Sequence, residues 1–342
     1  MNDTPFVSVV MPVYNAAPYL NTAAESLLRQ DCGDFELILV NDCSTDGSGA
    51  LCDELARRDG RVRVIHAPRN VGAGEARNLG IDAARGEYLG FMDADDELTP
   101  GILSAAVAAA RENDADEVVW GLKEVSPTSD GGIKKEKAIV PEAGVFTGKD
   151  LPEAVPRLEA LTLFGYQWNS LYRLSLIREN GIRFPSAVLY EDYFFNLDFI
   201  RRAGRLCTLP LAGYLYYQRE NSVTGRFVPD YFPLSARRVA TMLAYLEENG
   251  RATQAHLAML KNRLLRYVLS ALARNAGPEA AMTKTEQKVA FRRMADDPAV
   301  RALVFARRLP TEPPYQLPEL LLKRNAAGAA LLTGRMIALL RR

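Results

Sequence analysis

The chain has 342 residues, 48% of them hydrophobic, enough for a real core and about two domains. Lys plus Arg and Asp plus Glu both total 42, which excludes a global basic field for nucleic acid and an acidic excess of the kind that keeps a chain disordered. Two histidines, and four cysteines without Cys-x-x-Cys spacing, leave little material for a histidine triad, a zinc site or a disulfide framework, so carboxylates must carry any chemistry.

In chain order, the short apolar runs 6–14, 35–40, 62–67 and 87–93 are rich in β-branched and aromatic residues and read as strands. Helical segments at 18–29, 48–58, 73–84 and 100–112 alternate with them, which argues for right-handed βαβ crossovers onto a mainly parallel, doubly wound sheet. One more strand is expected at 117–120, followed by a polar loop or linker at 126–137. From 149 the pattern loosens into helices and short strands with aromatic concentrations at "FGYQWNSLY" and "LYEDYFFN". Residues 232–308 read as helical, and four prolines within 309–318 precede a last Leu- and Ala-rich helix. The expected domains are a catalytic domain over 1–230, with a nucleotide part at about 1–122 and an acceptor part at about 149–230, and a helical subdomain over 231–342. The start has no basic region ahead of an apolar stretch, and no window approaches the ~20 apolar residues of a spanning helix, so a cytoplasmic protein is expected. Cys32, Cys43, Cys52 and Cys207 read as reduced packing residues.

In a parallel α/β sheet, ligands bind beyond the carboxyl ends of the strands. Three ends here, "PVYN", "VNDCSTDGS" and "DADD", face one crevice, and the helix after "RNVGAG" adds the cation Arg77. Carboxylates one residue apart repel one another unless a cation joins them, and magnesium or manganese held between carboxylates and a nucleotide diphosphate meets that need. The other reading has Asp95, Asp96 and Glu97 cap the helix starting near Pro100; it accounts poorly for Asp93.

As an ordered set, "VSVVMPVYN", "ELILVNDCSTDGS", "NVGAGEARNLGIDAARGEYLGFMDADD", "WNSLYR", "ALYEDYFFN" and "YYQRENSVTG" resemble the family 2 glycosyltransferases with a GT-A fold, over roughly residues 6–225. The second half of the set resembles bacterial members that build surface polysaccharides. The resemblance implies that Pro12 and Tyr14 flank the nucleotide base, that Asp42 accepts from a uracil N–H, and that Asn70 and Arg77 hold base, ribose or diphosphate. Asp93 would bind ribose, and Asp95 would ligate the metal with Asp96 supporting; Asp93 is a second candidate ligand. Asp192 would be the general base with Glu191 beside it, its proton affinity raised by the aromatic wall of Tyr190, Tyr193, Phe194 and Phe195. Trp168 and Asn169 would shape the donor-sugar pocket. Plainer readings stand beside these: an Asx-turn for Asp42, turn chemistry for Asn70, a surface cation for Arg77, core for Trp168, and a helix N-cap for the Glu191–Asp192 pair.

Two departures from the family pattern matter. Many relatives carry Lys where this chain has Ser170, and the histidine ligand of metal-dependent relatives is missing around 216–225, where Arg219 and Ser222 remain as diphosphate contacts. The expected activity is inverting transfer from a UDP-sugar to a hydroxyl of a glycan, surface polymer or lipid-linked acceptor, with a divalent metal (Mn or Mg). A nucleotidyltransferase would want a basic, glycine-rich loop where "MPVYNAAPYL" stands, and a non-catalytic binding module would not need intact Asp93, Asp95 and Asp192. Homo-oligomerisation stays open. Residues 301–342 hold eight Lys or Arg against two Glu. Wound as one helix, residues 318–342 put their basic residues in a sector of about 140°, with Leu320 and Leu331 inside it. Peripheral contact with the inner membrane face is one reading of that helix; packing on the helical subdomain or on another subunit is the other.

Overall fold

The computed structural model describes residues 4–127, 133–186, 189–219 and 228–340. Contacts divide the chain into two units, Met1–Ser222 and Val223–Arg342.

In the first unit the strands β1 (Val7–Val13), β2 (Phe35–Asn41), β3 (Val62–His66) and β4 (Tyr88–Phe91) are parallel, in the order β3-β2-β1-β4. Every residue of β2 and β4 is buried, as expected for strands covered on both faces. The crossovers are α1 (Leu20–Leu28), α2 (Ser48–Arg58) and α3 (Ala73–Ala83). A Cβ on Gly80 would lie 2.2 Å from Val10 Cγ1, so glycine alone lets α3 close on β1 and fixes the depth of Arg77.

Beyond β4 come the two-residue β5 (Glu97–Leu98), α4 (Ile102–Asn113), β6 (Glu117–Pro127), β7 (Ile133–Ile139), β8 (Gly144–Thr147), α5 (Leu151–Ala160), β9 (Ser170–Arg173), α6 (Leu174–Glu179), α7 (Glu191–Ile200) and β10 (Arg205–Tyr217). The sheet continues β4-β9-β6-β10-β5; β9 runs antiparallel to both neighbours, whereas β6 and β10 are parallel. The expected loop over 126–137 is corrected: β6 extends to Pro127 and pairs antiparallel with β7, with Lys123 reaching diagonally to Glu136 at 3.4 Å. Lys135, Glu136, Lys137 and Ala138 are all exposed, so β7 rests on its hydrogen-bond ladder to β6 and shows no apolar alternation to read. Beneath α3, the rings of Phe184 and Phe195 stack at 4.2 Å and Phe91 meets each edge-on.

The second unit is helical: α8 (Tyr231–Glu248), α9 (Gln254–Ala276), α10 (Lys284–Asp296), the short α11 (Pro298–Val300), α12 (Gln316–Lys323) and α13 (Ala327–Leu340). α8, α10, α12 and α13 all pack on α9. The expected single last helix is corrected to two, broken at Asn325, whose φ of 49° is a left-handed conformation that Asn adopts at small cost. A helical wheel run across that break mixes two axes. The cysteines are free; Cys52 and Cys207 are buried, Cys32 is half-buried and Cys43 is exposed, so Cys43 is not a packing residue.

Glu117 on β6 is 3% exposed, bonded to Ser170, and its Oε2 has no partner among the described residues. The departure at Ser170 is thus a buried hydroxyl serving a buried acid. Burial raises the Glu117 carboxyl from 4.5 to about 8. The folded state therefore holds a proton that the unfolded state has released, and stability falls as pH rises through that window, by up to ~1.4 kcal/mol per pH unit. Glu117→Gln is expected to abolish this part of the slope, so that urea midpoints of variant and wild type diverge most at the alkaline end. Parallel midpoints across the window would refute the assignment.

Candidate active site

Because β1, β2 and β4 are parallel neighbours, their carboxyl ends share one edge. Pro12 is half-buried at the end of β1, and Tyr14 follows at the rim, 53% exposed. Asp42, just past β2, is buried, and its two oxygens accept from the backbone N–H of Val71 (2.7 Å) and Gly72 (2.9 Å). It pins the loop that starts α3 instead of forming a local turn. Exposed Asn70 sits on the same loop and donates to the Asp42 carbonyl at 3.4 Å.

Asp93, Asp95 and Asp96 follow β4. They do not cap α4, which begins behind Gly101 (φ 79°) with no side-chain cap and no acid in its first turn. Asp96 is buried and accepts from the Tyr217 N–H at 2.9 Å; the Tyr214 hydroxyl is bonded to Asp96 and accepts from the Asp93 N–H at 3.0 Å. Burial, reinforced by Asp93 and Asp95, pushes Asp96 up to about 8. Burial, with the charge of Asp93, also raises Asp95 from its ordinary value, against the pull of Arg219. Arg219 at the end of β10 donates to Asp95 Oδ2 at 3.2 Å, its guanidinium 3.7 Å from the centre of the Tyr19 ring. Ser222 lies outside the described residues.

Arg77 joins this acid turn to the second acid pair. It is 5% exposed, donates from Nη2 to Asp93 at 2.9 Å and from Nη1 to Asp192 at 3.2 Å, and lies 3.8 Å from Glu191. Glu191 and Asp192 open α7 behind Tyr190, whose φ is 65°. The buried side-chain amide of Gln167 fills the remaining side. With Oε1 toward Arg77 it accepts from Nη2 (2.9 Å) and Nε (3.1 Å), while Nε2 donates to Asp192 Oδ2 at 2.9 Å; the opposite amide orientation would set donor against donor. Arg77 is thus a buried clasp with protein acceptors around it, not the surface cation of the plainer reading. Burial, with Glu191 and Asp93 adding to it, raises the proton affinity of Asp192 against the opposing pull of Arg77. About a quarter of the Asp192 side chain stays exposed, 23%.

Trp168 is 2% exposed and stacks on Tyr214 at 3.9 Å and Tyr166 at 4.4 Å. It backs the tyrosine that supports Asp93 and Asp96. Asn169 is fully buried, with Nδ2 donating to the carbonyls of Trp120 and Leu163. Both residues therefore bear on the site through the elements they hold. Sequence reasoning missed Gln167 and Tyr214. The only signal for Gln167 was a polar side chain inside an aromatic run, and Tyr214 looked like any strand tyrosine. Among the described residues, no three His, Cys, Asp or Glu side chains converge into a ready-made metal cage.

A mixed, largely parallel sheet with an acid-rich crevice at its strand ends and a helical C-terminal region is the GT-A architecture of glycosyltransferases. The chain belongs to glycosyl transferase family 2, whose model matches residues 8–181. It is 37% identical over 225 residues to the uncharacterized glycosyltransferase EpsJ of Bacillus subtilis, covering 64% of this chain and 63% of EpsJ. It is 31% identical to the succinoglycan biosynthesis protein ExoO of Rhizobium meliloti, covering 66% and 64%. The matches span less than two thirds of the length of both relatives. In fold it is similar to residues 1–349 of TarS from S. aureus, solved in complex with UDP-GlcNAc, with a TM-score of 0.63 at 22% identity over 97% of this chain and 90% of that one.

Proposed function

We propose that the chain transfers a sugar with inversion from a nucleotide sugar, a UDP-sugar by analogy with the ligand of TarS, to a hydroxyl of a glycan, surface polymer or lipid-linked acceptor. The observation that carries this is the single Arg77 guanidinium that bonds both Asp93, on the nucleotide side, and Asp192, the candidate base.

The acid turn fits a divalent ion. Asp95 has only Arg219 against burial and the charge of Asp93, and Mg or Mn asks for one or two carboxylates, with phosphate oxygens and water completing the shell. Asp95 would hold the ion, with Asp93 as second candidate and Asp96 supporting the turn; when bound, the ion offsets charge on the departing diphosphate.

The chain's own residues do the rest. Pro12 and Tyr14 form a rim for the base. Asp42, with two of its roughly four lone-pair positions filled, keeps capacity for a ring N–H. Asp93 faces the ribose, and Arg219 can turn from Asp95 toward phosphate oxygens, where a guanidinium fits well. Asp192, held by Arg77 and Gln167, takes the proton of the acceptor hydroxyl as that oxygen attacks the anomeric carbon opposite the diphosphate. Calorimetry of UDP with Mn is expected to show binding that weakens sharply with chelator and in Asp95→Ala. UDP affinity indifferent to both would remove the metal from this reading. Product analysis with labelled UDP-sugars tests transfer itself.

A further inference from the structure

The last helix leaves an apolar face uncovered. α13 packs on α9 through small residues: Ala327 and Ala330 are buried, and a Cβ on Gly334 would lie 2.4 Å from the Leu272 carbonyl oxygen, so the two backbones nearly touch. This contact consumes the small side of the helix. On the other side Leu332 (68% exposed), Met336 (56%), Leu339 (68%) and Leu340 (81%) repeat at three and four spacing. Scattered exposed leucines need no explanation, but four along one helical stripe do. Leu317 and Leu320 of α12 are also exposed, at 44% and 45%.

Charge says what kind of surface fits. From Leu320 to Arg342 the chain carries Lys323, Arg324, Arg335, Arg341 and Arg342 and no acidic residue. Lys323 is paired with Glu319 at 2.6 Å; among the described residues no ion pair is found for Arg324 or Arg335, and both are exposed. A two-fold contact between copies would place this stripe against itself, bringing Arg335 toward its own copy with no acid on the stretch to offset it. No helix of the described residues is long and apolar enough to cross a membrane, and at 1.5 Å per residue the 14 residues of α13 fall short of a ~30 Å hydrocarbon core. We infer that the outward face of α13 docks in the plane of an anionic lipid surface, with Leu332, Met336, Leu339 and Leu340 entering the headgroup boundary and Arg335 meeting lipid phosphates. The alternatives of packing on protein and contact with membrane thus fall on opposite sides of one helix. The inference goes beyond the proposed transfer reaction and requires no donor, metal or acceptor.

The test is co-sedimentation of the full chain with phosphatidylcholine vesicles and with vesicles containing phosphatidylglycerol, at low and high salt. The comparison protein carries Leu332→Ser, Met336→Ser and Leu339→Ser together. These positions are solvent-exposed, so thermal melting should match the wild type. The wild type is expected to bind the anionic vesicles at least ~10-fold better than neutral ones, with salt weakening the binding and the triple variant falling to background. Equal sedimentation of the two proteins, or no vesicle binding by the wild type, would overturn the inference. So would a lipid-free wild type that light scattering finds dimeric while the variant is monomeric and vesicle binding is the same for both. Failure here would leave the transfer reading standing, because vesicle binding and sugar transfer are read separately.

Discussion

Asp192→Asn is expected to lower the rate of transfer by ~10²–10⁴-fold while UDP affinity stays near that of the wild type. An amide of the same shape cannot take the acceptor's proton, and Asp192 is linked to Asp93 of the acid turn through Arg77. The pH profile adds a readout that a structural role would not move. A base acts when deprotonated, so the wild-type rate should climb with pH through the raised pKa of Asp192, and that ascending limb should vanish in the variant. One structural cost is foreseeable. With an asparagine oxygen toward Arg77, its NH₂ group meets the Nε2 of Gln167, and turning Gln167 to relieve that contact sets its NH₂ against Arg77. A lowered melting temperature should therefore accompany the loss of activity. A variant that keeps more than a tenth of the wild-type rate would end the assignment of Asp192 as base.

Arg77→Met is expected to cost stability and activity together. Removing a buried cation leaves Asp93, Glu191 and Asp192 facing one another, and breaking a buried ion pair from one side typically costs ~3–5 kcal/mol. The sign of the pH effect follows. Without the guanidinium these carboxylates take up protons in the folded state at a pH where the unfolded chain has lost them, so the deficit should shrink as pH falls. Arg77→Lys should recover only part of the loss, because an ammonium cannot span Asp93, Asp192 and Gln167 as a planar fork does. Urea unfolding of the three proteins at mildly acidic and mildly alkaline pH measures both effects. An Arg77→Met protein as stable as the wild type at both would show that the clasp contributes nothing.

Much of the first half of the fold was legible because its signals are local. Strands buried on both faces announce themselves as unbroken apolar runs, and β1 to β4 with α1 to α4 fall within a residue or two of the segments read from sequence. Strand β7 was not legible, since its exposed residues 135–138 have no apolar period. The break at Asn325 was missed because leucines and alanines continue on both sides of it.

The sequence by itself determined the α/β alternation, the gathering of acids beyond β4 and the acidic pair that opens α7. Each strand, each helix and both acidic clusters are written in runs of neighbouring residues. Only the tertiary structure decided that one guanidinium would hold Asp93, 16 positions away, and Asp192, 115 positions away, with Gln167 as the third side of the clasp. It also decided that the last helix turns Ala327, Ala330 and Gly334 inward and Leu332, Leu339 and Leu340 outward. Propensity and periodicity fix what a segment can be, whereas the choice of partner is made by shape and charge at long sequence separation. Glycines such as Gly80 and Gly334 set that choice by how closely they let backbone or side chain approach.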